Sequence, residues 1–448
     1  MSGAYPTVRL RHLAQFNPAV PEAVASDPDN EWPLLPMEQI GNFAQPTVTQ
    51  QRSYKTLSTG YSYLEQTDVA YAKVTPCFEN GKGLIGADLD GPVFATTEVT
   101  VLRPNPGMSQ RFLAYIMQSE DFRTAAIASM TGAGGLRRVS ERDMKNFRVP
   151  APDLSVQSEI ADYLDHETAE IDQLITGLDS LQVLSTERVE ARIIKTIQTG
   201  GRSTEGLADT GIPEWPQAPI SWRHTRLKST IRDARNGAWG EDPETGGEIR
   251  RCIRVADFSK SSASIHDNAV TSRSYARPQV GDLSLKTGDL IIEKSGGGPT
   301  TPVGNVVLYS GPGGDMYSNF VARIRLAEGI DATYAAWLHR SLYLNQVTHR
   351  SIKQTTGIQN LDADSYFNES IFVPPYEEQH RIGNFLSKMV ESQDELRSEI
   401  RESIDLARER RAALITAAVT GQIDVTARNK PAAEQLEDDI AQGLHREN

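Results

Sequence analysis

The sequence predicts a mixed α/β chain in which two similar domains are each followed by a long helix. The two helices are expected to pack on each other as an antiparallel coiled coil. Three observations predict this. The chain is written twice, at a period of 221 or 222 residues. Two stretches of about 43 residues carry a one-sided apolar stripe. The rest alternates short β-rich runs with short amphipathic segments, bounded by Gly, Pro, Asn and Asp clusters.

The repeat is direct. Asp68-Val69-Ala70-Tyr71-Ala72-Lys73 recurs as Asp289-Leu290-Ile291-Ile292-Glu293-Lys294, and Phe112–Ile116 recurs loosely as Tyr334–Leu338. Gln157, Ile160 and Leu164 recur as Gln379, Ile382 and Leu386. Glu187-Arg188 recurs as Glu409-Arg410, and Thr199-Gly200 as Thr420-Gly421. The period is too long for a solenoid, so each copy should be a domain plus a connector. Two such copies predict a pseudo-two-fold internal repeat that presents two similar surfaces.

The elements follow in order. Residues 1–150 form a first α/β domain, with strands over Val69–Val74 and Val99–Leu102 and a helix over Ser109–Gln118. Residues 151–200 form the first long helix. Pro150 and Pro152 precede it, Gly200-Gly201 ends it, and Gly177 is a soft spot inside it. Its stripe runs through Ile160, Leu164, Ile171, Leu174, Leu178, Leu181, Val189, Ile193 and Ile197. Residues 201–221 read as a linker. Residues 222–373 form the second domain, with strands over Leu290–Glu293, Asn305–Tyr309 and Phe320–Leu326 and a helix over Ala332–Tyr343. Residues 374–425 form the second long helix, opened by Pro374-Pro375 and ended by Gly421. Its stripe includes Ile382, Phe385, Leu386, Met389, Leu396, Ile400, Ala407, Leu414 and Val419. Each helix is roughly 65 Å long at 1.5 Å per residue, too long to bury its stripe on one small domain. Pairing the helices is the economical solution. Residues 426–448 read as a mobile acidic tail.

Composition excludes several classes. No apolar run approaches the ~20 residues of a membrane span, and no basic-then-apolar signal segment opens the chain. Only Cys77 and Cys252 occur, so a disulfide framework is not expected and a reducing, cytoplasmic setting is. The net charge of −13 looks wrong for a nucleic-acid binder. Residues 1–150, however, carry 14 basic and 15 acidic side chains, and residues 223–373 carry 18 and 16. The acidity sits in the connectors and tail, so local basic faces remain open to the domains.

Motifs of catalysis fail on context. Gly81-Lys82-Gly83-Leu84-Ile85-Gly86 matches GxGxxG, but Asp88, Asp90, Gly91 and Pro92 follow and end any helix that would face a pyrophosphate. A loop is the better reading. Pro76-Cys77 matches the nucleophile dipeptide of cytosine-5 methyltransferases, yet no strand–Gly-loop–helix for a methyl donor accompanies it. A half-buried thiol at a strand end is expected instead. Ser295-Gly296-Gly297-Gly298-Pro299 lacks the Gly-Lys-Ser/Thr of a P-loop. His166-Glu167 lacks the second His of a zincin helix. Neither catalytic nor metal-ligating residues are expected.

The positive signal is a pair of loops in each copy. Lys73 and Lys294 end equivalent strands, and each feeds a Gly-rich loop, Asn80–Gly86 (with Lys82) or Ser295–Gly298. Each copy then has a second polar Gly segment. The first is Thr131-Gly132-Ala133-Gly134-Gly135-Leu136-Arg137-Arg138. The second is Lys353-Gln354-Thr355-Thr356-Gly357-Ile358-Gln359-Asn360. Lys, Arg, Gln and Asn are side chains that meet phosphates and base edges. The expected contact residues are Lys73, Asn80, Lys82, Arg137, Arg138, Lys294, Ser295, Lys353, Gln354 and Asn360. Solvated turns are the plain alternative.

Taken together, these residues resemble the DNA-specificity (S) subunit of type I restriction–modification systems. Ala72-Lys73-Val74-Thr75-Pro76-Cys77-Phe78-Glu79-Asn80-Gly81-Lys82-Gly83 is similar to a run in one group of their target recognition domains. Pro374-Pro375-Tyr376-Glu377-Glu378-Gln379-His380-Arg381-Ile382 resembles the opening of the family's conserved helix. Ala161–Gln173 and Arg410–Gln422 resemble the bodies and ends of those helices. Ile212-Pro213-Glu214-Trp215-Pro216 with Trp222 resembles the entry to a second recognition domain. Pro152-Asp153-Leu154-Ser155-Val156-Gln157 departs from the pattern, lacking Glu-Glu before Gln.

The resemblance implies a non-catalytic subunit that binds double-stranded DNA, two methyltransferase (M) subunits and restriction (R) subunits. It implies no cofactor in this chain, with S-adenosylmethionine, ATP and Mg in the partners. Each recognition domain would read one half of a bipartite site, while the helices set the spacer and dock M through positions such as Ile171, Leu178, Leu396 and Ile400. A rod of roughly 65 Å spans at most about 19 base pairs. Two rival readings are a stand-alone enzyme, which would need a methyl-donor loop or a nuclease cluster, and a coiled-coil scaffold whose α/β domains bind protein.

Overall fold

The computed structural model describes residues 5–425 except Gly134, Asp267, Ala269, Val270, Pro299, Thr300 and Thr356. The expected tail at 426–448 lies outside the described residues, as do Gly134, Pro299 and Thr356 of the loop segments. The chain divides into two compact units. One is Met1–Gly177 with the residues from Ser403 onward, and the other is Leu178–Glu402. Each unit therefore holds one α/β domain, one half of the first long helix and one half of the second.

In the first unit a four-stranded antiparallel sheet runs in the order Ala14–Phe16, Val99–Pro104, Val69–Ala72, Gly83–Ile85. A second sheet is ordered Gln50–Ser53, Glu31–Leu35, Val93–Thr96, Tyr61–Leu64, its middle pair parallel. Thr7–Arg9 pairs with Arg148–Pro150 and closes the domain. The second unit repeats this topology. Its main sheet is ordered Ile231–Asn236, Val321–Leu326, Leu290–Glu293, Val306–Leu308. Its second sheet is ordered Ser272–Tyr275, Glu248–Ile253, Met316–Tyr317, with the last two parallel. Arg223–Arg226 pairs with Ser370–Val373.

The repeated residues explain why both copies fold alike. Asp68 is fully buried, takes the Glu65 amide at 2.8 Å and forks onto Arg103 at 2.7 and 2.8 Å. Asp289 takes the Lys286 amide at 2.8 Å and pairs with Arg325 at 3.3 Å. Each aspartate fixes the turn that launches the central strand, and a buried carboxylate persists because it is paired and hydrogen-bonded. Ser109 caps the helix Gln110–Gln118 by accepting from the Phe112 amide, as Asp331 caps Ala332–Leu344 by accepting from Tyr334. Gln157 is buried, accepts from the Ser109 amide at 2.8 Å and donates to the Gly107 and Pro152 carbonyls. Gln379 accepts from the Asp331 amide at 2.9 Å and donates to the Gly329 and Pro374 carbonyls. One amide thus ties the start of each long helix to the short helix of its domain.

The long helices span Leu154–Thr199 and Tyr376–Val419 and are packed together, with Gly200 and Gly421 at left-handed φ just beyond their ends. The first runs through Gly177 without a break. Within the first unit, Ile160, Ala161 and Leu164 share a core with Phe112, Ile116, Ile415, Ala418 and Val419, and Arg411 binds Asp172 at 3.0 Å. Within the second, Ile193 and Ile197 share a core with Trp337, Ile382, Leu386 and Val390. There Gln393 donates to Ser185 at 2.6 Å, and Arg192 lies over the Phe385 ring at 5.6 Å. Descending partners along one helix meet ascending ones along the other, so the pairing is antiparallel. Burying each such aliphatic side chain stabilises by about 1.5–3 kcal/mol.

Two expectations change. The segment 201–221, read as a linker, contains a β-hairpin of Leu207–Ile212 with Trp215–Pro219. Trp215 is buried against Phe372, and its indole donates to the Gln198 carbonyl at 3.2 Å. Three prolines masked a strand that needs few ladder donors. The apolar stripe is also not continuous, since Leu174, Leu181, Phe385 and Leu396 are exposed. Periodicity marked the helix but not how far along it a partner reaches.

Candidate nucleic-acid interface

The two loops of each copy are brought together by the backbone. In the first unit, Lys73 follows the buried strand Val69–Ala72, and its carbonyl accepts from the Val139 amide at 2.8 Å. Thr75 clasps the hairpin Thr131–Ala133 with Leu136–Arg138: its amide donates to the Arg137 carbonyl at 2.9 Å. Its hydroxyl accepts from the Arg137 amide and donates to the Gly135 carbonyl, each at 2.9 Å. In the second unit, the Lys294 carbonyl accepts from the Leu361 amide at 2.8 Å. Ser295–Gly296 then joins the hairpin Ile352–Thr355 with Ile358–Leu361 as a third strand. The backbone part of this clasp recurs at equivalent positions, with Gly296 standing where Thr75 supplies a hydroxyl.

The side chains differ. In the first unit Asn80, Arg137 and Arg138 are exposed. Arg137 pairs with Glu79 at 2.9 Å, and Arg138 forks onto Glu98 at 2.9 and 2.5 Å. The hydrogen bond from Arg138 holds the Glu98 carboxyl below its ordinary range. In the second unit Lys353, Gln354 and Asn360 are exposed. Lys353 pairs with Asp362 at 2.6 Å, which lowers the Asp362 carboxyl and raises the Lys353 ammonium. Ser295 donates to Asn360 at 2.6 Å, leaving the Asn360 amide NH₂ directed elsewhere.

Lys82 is half-buried, and its ammonium donates to the Met37 carbonyl at 2.7 Å, which ties one of its three donors to the fold. The neighbouring glycines are structural too. A Cβ on Gly86 would stand 2.2 Å from the Glu65 carbonyl oxygen and 2.7 Å from that of Asp68. The third glycine of the GxGxxG run therefore seats a strand on a turn, and only a three-residue 3₁₀ turn follows. Among the expected docking positions, Ile171 and Ile400 are buried, Leu178 is half-buried and Leu396 is exposed. The exposed large apolar residues of the first helix are Leu154, Leu174, Leu181, Val183 and Leu184. Sequence reasoning missed Glu79, Glu98 and Asp362, whose pairing with the loop cations depends on sheet register. Among the described residues no group of three or more His, Cys, Asp or Glu could hold a metal ion, and no helix is long and apolar enough to cross a membrane.

Two domains of one topology, each with a clasped loop pair and a share of a helix pair, define a class of internally duplicated α/β protein. Comparison with known proteins shows what this architecture is similar to. Residues 81–179 match the family model for the type I restriction modification DNA specificity domain. The EcoAI specificity subunit of Escherichia coli is 31% identical over 182 residues, which is 39% of this chain and 30% of that protein. The StySPI specificity subunit of Salmonella potsdam is 21% identical over 328 residues, covering 72% of this chain and 67% of that one. The chain thus spans about a third of the length of the curated relatives it matches first. Among solved structures, a chain from work on the assembly and conformational transition of the type I R-M system aligns at a TM-score of 0.70. That alignment has 18% identity and covers 94% of this chain and 98% of that one. The HsdS subunit of Thermoanaerobacter tengcongensis aligns at 0.52, with 17% identity and 94% and 97% coverage. Residues 81–179 thus resemble the specificity domain of type I restriction–modification systems in sequence, and the chain as a whole shares the fold of these solved structures.

Proposed function

We propose that the chain is the non-catalytic DNA-reading subunit of such a system, each α/β domain reading one half of an asymmetric bipartite site. The observation that carries this reading is the duplicated loop clasp dressed with different side chains. A similar backbone frame on Lys73 and Lys294 presents Arg137-Arg138 in one copy and Gln354 with Asn360 in the other, Gln359 being buried. Backbone geometry sets where a loop meets a duplex, and side-chain identity sets what it reads. Surface ion pairs are weak and exchange readily, so the Arg137, Arg138 and Lys353 pairs can yield to phosphates. Arg137 and Arg138 suit guanine edges or phosphates, and Gln354 and Asn360 suit adenine edges.

The helix pair is read as the element that sets the spacer and docks two methyltransferase subunits. The exposed Leu181, Val183, Leu184 and Leu396 support a docking role, because contiguous exposed apolar residues mark interaction surfaces. S-adenosylmethionine, ATP and Mg would belong to the methyltransferase and restriction partners. The test is methylome sequencing of a host expressing the chain with its methyltransferase subunit. Arg137→Ala should relax the first half-site alone and Lys353→Ala the second alone. Equal change at both half-sites would sink the reading.

A further inference from the structure

A pocket of about 510 Å³ opens in the second unit against the loop Ser295–Gly297. Trp239 and Phe320 line it, at 40% and 46% exposure, together with Arg254, Ser318 and Asn319. Glu293 also lines it, yet is only 5% exposed. Among the described residues the Glu293 carboxyl has neither a hydrogen bond nor an ion pair. The charged and titratable groups that feel it are Lys260 and the Tyr343 hydroxyl. Burial pushes this carboxyl up to about 7.

A buried carboxyl without a partner is costly. It asks for hydrogen-bonding groups from outside. Phe320 and Trp239 are two exposed aromatic side chains on which a planar ring can stack; the Arg273 guanidinium covers one face of Trp239 at 4.9 Å and leaves the other. Arg254 in the wall, paired with Asp257 at 3.0 Å, and Lys260 nearby disfavour a cationic ligand and suit one carrying phosphate, which can share the guanidinium. Gly296 and Gly297, both at positive φ, bring bare backbone to the rim. The first unit lacks this construction. Glu293 is in register with Val321 as Ala72 is with Val99. The position of Glu293 is therefore Ala72 there, and that of Phe320 is Glu98, which is engaged with Arg138.

We propose that this pocket is a site for a single nucleobase, stacked against Trp239 and Phe320 with its hydrogen-bonding edge on Glu293. The base comes either from a free nucleotide or from a nucleotide everted out of bound DNA. The second source rests on the DNA-reading function proposed above.

The full-length chain is titrated in two arms. The first uses each of the four deoxynucleoside monophosphates. The second compares a duplex carrying one unpaired, extrahelical nucleotide with the fully paired duplex. Saturation by a monophosphate identifies the free-nucleotide source, and preference for the extrahelical duplex identifies the everted base. In the responding arm Trp239→Ala should weaken binding about tenfold, as loss of one stacking partner does. Glu293→Gln, which keeps the shape, should change the ranking of the four bases and remove the pH dependence near 7. If no duplex is bound while a monophosphate saturates, the DNA reading fails and the pocket stands. If neither arm responds, or if Glu293→Gln binds every base as the wild type does, the proposal is overturned.

Discussion

Arg138 is held by Glu98 through both arms of its guanidinium, at 2.9 Å from Nε and 2.5 Å from Nη2. The Glu98 carboxyl is held low by the hydrogen bond and charge of Arg138 first and by the charge of Lys73 last. A free loop of this unit thus presents cations already partly neutralised. Binding to phosphate would exchange one anion for another rather than neutralise a bare charge.

That exchange predicts a salt signature. Glu98→Gln frees Arg138 to act as a full phosphate partner. The slope of log affinity against log salt for duplex DNA should steepen by about 0.9, one counterion's worth. Titrations at several salt concentrations check this, and an unchanged slope would show that Arg138 does not reach a phosphate.

Gln157 and Gln379 each satisfy one backbone amide and two carbonyls at a buried joint. Alanine at either position strands those groups. Each substitution should cost about 1–3 kcal/mol, visible as a lower urea midpoint. Because the two joints lie in different units, the double variant should show the sum of the single losses.

Glu293 makes stability fall with pH. Its folded pKa, about 7, lies above the ordinary 4.5. Between those values the folded chain keeps a proton that the unfolded chain has lost, so stability declines as pH rises across the window. His339 acts oppositely over an overlapping window. Burial lowers its imidazole from 6.5 to about 4, so its contribution is present above 6.5 and is lost as pH falls. Glu293→Gln should gain on the wild type between pH 4.5 and 7 by on the order of 2 kcal/mol, then hold constant. Unfolding curves at pH 5 and pH 8 measure it, and an equal gain at both would refute it.

The spacer role predicts a lengthened site. One helical turn is inserted into each long helix, after Gly177 and after Glu402, where one unit gives way to the other. A turn adds about 5.4 Å, or between one and two base pairs. The methylated sequence should show a spacer longer by that amount with both half-sites unchanged. A constant spacer would dismiss the helices as the ruler.

The residues were unequally legible. The two long helices were legible because Pro150, Pro152, Gly200, Pro374, Pro375 and Gly421 are local stop and start signals acting through φ and missing donors. Lys73 and Lys294 were legible because each ends a buried strand recognisable by its own composition. The bond from Lys82 to the Met37 carbonyl went unseen, since nothing near Lys82 in sequence announces it. Glu79, Glu98 and Asp362 went unseen because their partners lie on other strands.

What the sequence by itself determined is the duplication, the two long helices and the placement of loops after the central strands. Periodicity, chain stiffness and turn chemistry are properties of neighbouring residues, and they survive without knowledge of the fold. Only the tertiary structure decided which cations are paired, which leucines of the helices meet water, and that Glu293 sits buried without a donor. Those facts depend on register between strands and on what packs above a side chain, and such relations are set by the free energy of the whole fold.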